Sequence, residues 1–475
     1  MPSSEESFDV TVIGGGIVGT SIAWRLARTT LRVALIESGC DIANGSTRAN
    51  SGILHSGIHE KPESQMFRRC RSGLRWYRTW APKLDIPLVD RPSLIVAFTE
   101  EDQVRLKGLA EQHASTLSPK LLDQAELQSC ESCLSPHLRA GLLIADSAQI
   151  SPYEACRAIL ENAIANGLIF KPEHHVKKAA RKPNGWLLEG DDWAVASGIV
   201  ILATGAGAQG ISHIFGIQPP SLSWVSGAYF MMDRRLAGTL HHIVFGPPQP
   251  HTKGFLAQET VHGNLLLGPD AVSWPHPAIS LDDETAVLAQ WERLSTLWQS
   301  AIQLVPGLER RDVIRSFTGI RHTAPGEDFA LLDLLADARL MALHGIRSPG
   351  LTAAPALADE VVTALTNGAI SPEKIRERAN LVETRTSPEQ ATARLDSPLV
   401  CRCEKVHEAT ISEAWSRGAT TIETVRWMTR AGMGRCQGGF CRPRILGLLS
   451  RWSNREPGEI PLKEPGSNLV SGWLK

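Results

Sequence analysis

Apolar residues in the first forty positions fall into two strand-sized runs around an amphipathic one. Residues 9–13 read DVTVI, a short apolar strand that runs into Gly14, Gly15 and Gly16. A helix-like stretch follows to about Arg28, and RVALIE forms a second strand ending at Glu37. Strand, glycine turn, helix and strand in that order predict a βαβ opening. Residues 41–65 are polar and glycine-rich and read as a loop, 66–80 as a helix, 93–98 (SLIVAF) as a strand and 101–130 as helical. Residues 198–207, GIVILATGAG, are another buried strand ending in glycines. Alternating apolar segments over 225–270 predict antiparallel strands, and 283–304 a helix. LMALHGIRSPGLTAAPALADEVVTAL reads as a strand, a loop with Pro349 and Gly350, and a helix that starts near Leu351. Residues 371–397 lose apolar periodicity and read as a linker, 398–451 as a compact cysteine-bearing unit, and 452–475 as a Pro- and Gly-rich tail wrapping a surface.

Length changes this picture little: 475 residues accommodate about three domains, or two with one large. A net charge of −1 gives no reason to expect a nucleic-acid partner. The polar, acidic start lacks the basic and apolar regions of a signal peptide. No apolar run approaches the ~18 residues of a membrane span, and peripheral membrane contact stays open. Nine cysteines, an odd number, argue against a disulfide framework; five are scattered and four lie together near the end. Cys40, Cys70 and Cys156 read as small core residues, and Cys130 and Cys133 as a lone CxxC without a second ligand pair.

Gly14, Gly16 and Gly19 complete GxGxxG between strand and helix. The first glycine makes the tight turn, the second admits a pyrophosphate, and the third lets helix and strand pack closely. The helix N-terminus then faces the phosphates with its positive end. Glu37, eighteen residues after Gly19, stands where a carboxylate binds ribose hydroxyls. The motif serves NAD and FAD alike.

Cys401 and Cys403 are separated by one residue, and Cys436 and Cys441 by four. Four thiolates suit an iron–sulfur cluster or zinc. Structural zinc pairs usually enclose two to four residues, so the one-residue spacing favours iron–sulfur. Gly432, Gly434, Gly438 and Gly439 let backbone N–H groups approach sulfur.

STRANSGILHSGI (46–58), TKGFLAQETVHGNLLLGPDA (252–271), GIRHT (319–323) and GIRSPGLTAAPALA (345–358) occur in an order that resembles the FAD-dependent family of type III glycerol-3-phosphate dehydrogenases and L-2-hydroxyglutarate oxidases. TRAGMGRCQGGFC (429–441) resembles the bacterioferritin-associated-ferredoxin-like [2Fe–2S] domain appended to the anaerobic glycerol-3-phosphate branch. The resemblance implies an α/β fold with a glutathione-reductase-type FAD domain from residues 8–80, 150–215 and 310–370. It implies a mixed-sheet substrate domain from 81–149 and 216–309, and a [2Fe–2S] domain over 398–451. It places Thr47, Asn50, Ser51, Val176, Gly205, Gly350, Leu351 and Thr352 with the glycines and Glu37 around FAD, with the late helix directed at the flavin. His55 is implied as the base beside the flavin, and Arg321 and Lys253 as the cations that hold an anionic substrate. His59 and Glu60 stand where relatives often carry a tyrosine pair, and His322 where they often carry proline.

The expected reaction is oxidation of a small anionic secondary alcohol. Glycerol 3-phosphate is the first candidate, a 2-hydroxy acid the second and an amine or amino acid the third. Electrons would pass from flavin through the cluster to a quinone, a partner subunit or a soluble carrier. An electron-transfer subunit of a larger complex is the alternative from another class. Retained thiols suit a reducing compartment, so the cytoplasm is expected, with contact at the inner face of the membrane as an option.

Overall fold

Burial on both faces organises the N-terminal unit. In this computed structural model, β1 (Glu6–Ile13) enters α1 (Ile17–Ala27), which returns through β2 (Val33–Ile36). Val10, Val12, Ala34 and Leu35 are completely buried, as parallel strands covered on both sides require. The described residues are 6–218, 221–247, 254–273, 284–323, 331–335, 339–368, 370, 373–378, 381–382, 396–464 and 466–470. Helices α2 (Gln65–Trp80) and α3 (Pro152–Ala165) follow, then β3 (Ala194–Leu202). β1 lies between β2 and β3, parallel to both, with Val10 opposite Val33 and Ile199.

A second sheet is built on β4 (Ser223–Met232), which pairs antiparallel with β5 (Val313–Thr323) along nearly its whole length. Segment Ile243–Phe245 runs parallel to Ser93–Ala97 in this nine-stranded sheet, which makes it mixed. The chain then returns to the first sheet through β6 (Leu340–His344), parallel to β3, and enters α4 (Gly350–Gly368). Among the described residues the first sheet has eight strands, and α1 packs against α3 and α4. A Cβ at Gly19 would stand 1.9 Å from the Gly14 carbonyl oxygen, so α1 lies closer to the strand turn than any side chain allows. Gly19→Ala is expected to cost about 3 kcal/mol, read by thermal melting.

Three expectations change. Within 101–130, helix Glu100–Gln112 gives way to strand Lys120–Asp123 before helix Gln124–Cys130 begins. That second helix opens on a capping box, with the Asp123 and Glu126 side chains each accepting from the other's backbone N–H. β5, expected in the third FAD segment, belongs to the second sheet. The described part of the supposed linker is docked: Arg378 donates to the carbonyls of Thr29 at 2.7 Å and Asn166 at 2.6 Å, and Val382 N–H to Asn166 Oδ1 at 2.9 Å.

The C-terminal unit has its own core of Val400, Ile411, Val425, Ile445 and Leu449 under α5 (Ile422–Thr429) and α6 (Arg442–Ser453). It docks through Trp427, whose ring lies 5.4 Å from Tyr153 on α3 and beneath the Arg48 guanidinium at 4.9 Å. Arg417 Nε donates to Glu161 at 3.0 Å across the same junction. The tail does cover a surface: the Leu462 carbonyl accepts from Glu423 N–H at 2.9 Å, and the Lys463 carbonyl from the Cys40 thiol at 2.6 Å. Among the described residues no helix is long and apolar enough to cross a membrane.

Candidate active site and cysteine centre

One cavity of about 760 Å³ runs from the glycine turn to the junction of the two sheets. Gly14 has φ +111°, and a Cβ there would meet the Ala203 carbonyl oxygen at 2.5 Å, so β1 and the ATGAG loop share one tight corner. Gly16 caps α1 and would tolerate a Cβ better, the closest atom being Thr47 Oγ1 at 3.3 Å. That room at a helix N-terminus is what a phosphate needs. Gly15 N–H donates to Glu37 Oε2 at 2.7 Å, and Glu37 Oε1 accepts from Gly39 N–H at 2.8 Å. The carboxylate is therefore held in one orientation in the cavity wall. Thr47 Oγ1 accepts from Ile17 N–H at 3.0 Å and ties the following loop to the helix start.

Gly14, Gly16, Glu37, Thr47, Asn50, Ser51, His55, Val176, Gly205, Arg321, Gly350 and Leu351 all line the cavity. Gly19 and Thr352 do not. Gly19 acts in packing. Thr352 is fully buried behind the wall, where its Oγ1 accepts from His55 N–H at 3.0 Å and donates to the Ile53 carbonyl at 3.3 Å. It positions the His55 loop. The Asn50 amide donates to the Ser46 and Thr47 carbonyls at 3.1 and 2.7 Å and accepts from Gly52 N–H at 2.8 Å, so it braces its own loop. Lys253 lies outside the described residues.

The far end of the cavity brings together His55, half-buried, with its ring 6.3 Å from Phe245, and Arg321 on β5. Arg321 is half-buried and forms no ion pair among the described residues. Its neighbour Tyr229 stacks on Phe317 at 5.0 Å, and burial pushes its phenol up to about 12, partly opposed by Arg321. The neutral phenol leaves the guanidinium charge unbalanced. His322 is buried, and burial followed by the nearby His344 lowers its pKa, keeping it uncharged. Tyr229, Phe245, Leu256 and Arg347 also line the cavity and were missed in the sequence. The alternation in GAYFMM and GFLAQE marks strands but does not say which face meets a ligand.

The four cysteines form two pairs. Exposed Cys403 and Cys436 have sulfurs 3.8 Å apart, and buried Cys401 hydrogen-bonds Cys441. The bond from the Cys441 thiol brings Cys401 down to about 6, while Cys441 is driven up by the same bond and by burial. A tetrahedral metal with ~2.3 Å bonds to sulfur sets two ligands about 3.8 Å apart. Gly432 N–H donates to Cys401 Sγ at 3.5 Å, the backbone approach expected of the glycines. Among the described residues no three donors gather tightly enough for one ion, whereas two pairs suit a two-iron cluster.

Comparison with known proteins agrees with this division. Residues 9–364 match the profile described as FAD dependent oxidoreductase (DAO), and residues 399–451 that of the BFD-like [2Fe-2S] binding domain. The chain is 31% identical to the glycerol 3-phosphate dehydrogenase of Caloramator mitchellensis, over 98% of this chain and 99% of that protein. It is 25% identical to one subunit of the anaerobic glycerol-3-phosphate dehydrogenase of Escherichia coli K12, over 94% and 89% respectively. The structure of dithionite-reduced L-alpha-glycerophosphate oxidase from Mycoplasma pneumoniae with FAD bound superposes with a TM-score of 0.72 at 26% identity, covering 81% of this chain and 99% of that one.

Proposed function

We propose a substrate and an electron route from the premise that this chain belongs to the FAD-dependent oxidoreductase family, with FAD and a [2Fe–2S] cluster as its cofactors. The substrate is glycerol 3-phosphate, oxidised at its secondary alcohol to dihydroxyacetone phosphate. Electrons leave through the cluster to an external acceptor. Arg321 carries the reading: a half-buried guanidinium in the cavity wall, without an ion pair among the described residues, suits a phosphate dianion. The relatives whose names specify glycerol 3-phosphate supply the particular phosphate ester.

Bound FAD supplies the hydride acceptor. Arg321 holds the phosphate, and the β4–β5 pairing fixes the strand that carries it. His55 takes the hydroxyl proton as hydride departs, held in place through its backbone by Thr352. Phe245, Leu256 and Ile346 keep water from the reacting carbon. Glu37 and the start of α1 would hold the ribose and pyrophosphate ends, and Val176 would line the adenine end. The exposed Cys403–Cys436 pair marks where electrons leave.

The test is the anaerobic visible spectrum during addition of glycerol 3-phosphate. Bleaching of the flavin band followed by loss of the broader cluster absorbance is expected. A protein that responds to dithionite and not to glycerol 3-phosphate keeps its cofactors and loses this substrate. L-2-hydroxyglutarate, titrated in the same way, is expected to bleach the flavin far more slowly.

A further inference from the structure

The exposed cysteines open onto a cationic face. Arg402 and Arg435, sequence neighbours of Cys403 and Cys436, are exposed, as are Phe440 and Arg444. The guanidiniums of Arg402 and Arg444 lie over the Phe440 ring at 4.4 and 4.3 Å. Glu404, the acid of these loops, turns inward, with its side chain 4% exposed and held by Arg430 at 3.0 Å. Arg435 reaches Asp233 at 3.1 Å, whereas Arg402 and Arg444 form no ion pair among the described residues. Composition sharpens the contrast. Residues 398–451 carry nine Lys and Arg against four Asp and Glu, a net of +5, in a chain of net −1.

We infer that this face is the docking site of a small acidic one-electron carrier protein, which seats carboxylates on Arg402 and Arg444 and packs against Phe440. The inference rests on the reading that electrons leave through the cluster. Arginine and an exposed aromatic are the residue types that anchor interfaces, and a one-signed field raises encounter rates with an opposite partner. Oxidation of one alcohol releases two electrons and two protons. Two oxidised carriers dock in turn, each takes one electron, and both protons pass to solvent. An anionic bilayer is the other surface that cations attract. Phe440 and Leu399 are the large apolar side chains exposed near the cysteines, too little to insert, and the exposed thiols beside Phe440 suit a redox partner better.

A plant-type [2Fe–2S] ferredoxin serves as the acidic probe, with the full-length holoprotein. Thermophoresis reads its binding independently of turnover. Raising ionic strength from about 20 to about 200 mM is expected to weaken binding tenfold or more, because screening shortens the reach of the field. The double substitution Arg402→Glu with Arg444→Glu is expected to weaken it at least as much at low salt. The cluster spectrum and the rate of flavin bleaching by glycerol 3-phosphate stay as in the parent. Equal affinity for parent and variant, or binding indifferent to salt, overturns the inference. So does a parent that ignores ferredoxin but binds phosphatidylcholine vesicles containing phosphatidylglycerol through the same two arginines. Binding rather than reduction is the readout, because a plant-type ferredoxin is too low in potential to accept electrons from an alcohol; loss of cluster absorbance on adding glycerol 3-phosphate without any carrier tests the relay separately.

Discussion

Replacing His55 with asparagine is expected to lower kcat for alcohol oxidation about 10²- to 10⁴-fold, the usual contribution of a positioned general base. The cofactors should be retained, because the His55 backbone N–H, rather than its ring, holds the loop to Thr352 at 3.0 Å. The imidazole must be neutral to accept the hydroxyl proton. In the parent, base catalysis by this imidazole makes flavin reduction fall off in acid, and in the variant this limb disappears. Single-turnover bleaching, followed anaerobically across pH, separates chemistry from electron exit. His322 supplies the control. It is buried and lines the same cavity, and burial with His344 beside it lowers its pKa. His322→Asn should leave the pH limb in place. A His55 variant within about threefold of the parent rate, with its pH limb intact, would assign the proton to another group.

The parts of this site that rest on local geometry were legible in the sequence. GxGxxG shows in its own spacing, and the Gly19 packing on Gly14 occurs where that spacing predicts, although the partner of the Gly14 turn, Ala203, lies far along the chain. Glu37 is aimed by Gly39, two residues on, and by Gly15 of the glycine turn beside it. The two cysteine pairs meet because CxC and the glycine loop are each compact, although the pairs that form, Cys403 with Cys436 and Cys401 with Cys441, cross between the motifs.

What was not legible depends on partners distant in the chain. β5 joins the second sheet because Ser223 to Met232 offers it a long antiparallel edge, which no periodicity within 313–323 announces. Thr352 faces the His55 loop, nearly 300 residues away, so its place behind the wall follows from the packing of α4. The strand at Lys120–Asp123 is short and mostly exposed, and carries little apolar signal. The capping box at Asp123 and Glu126 was the available sign that a new helix starts there.

Arg321→Met is expected to lower kcat/KM for glycerol 3-phosphate about 10²- to 10³-fold. Losing one partner of a desolvated charge pair costs about 2–5 kcal/mol, and about 1.4 kcal/mol corresponds to tenfold. The surroundings of Arg321 concentrate the effect. Its strand is pinned, with Arg321 opposite Val225 across β4. The carboxylate of Asp270 is already taken by Arg293 at 2.7 Å and by Ala228 N–H at 2.7 Å. Buried Tyr229 stays neutral, its phenol pushed up to about 12. Among the described residues the positive charge is thus left for the substrate. Arg321→Lys should recover part of the loss, because an ammonium keeps the charge and gives up the two-point grip. Neutral glycerol provides the discriminating measurement. If Arg321 binds phosphate, the variant's preference for glycerol 3-phosphate over glycerol collapses while its slow oxidation of glycerol changes little. If Arg321 braces the sheet junction instead, both substrates decline together and the melting temperature falls with them.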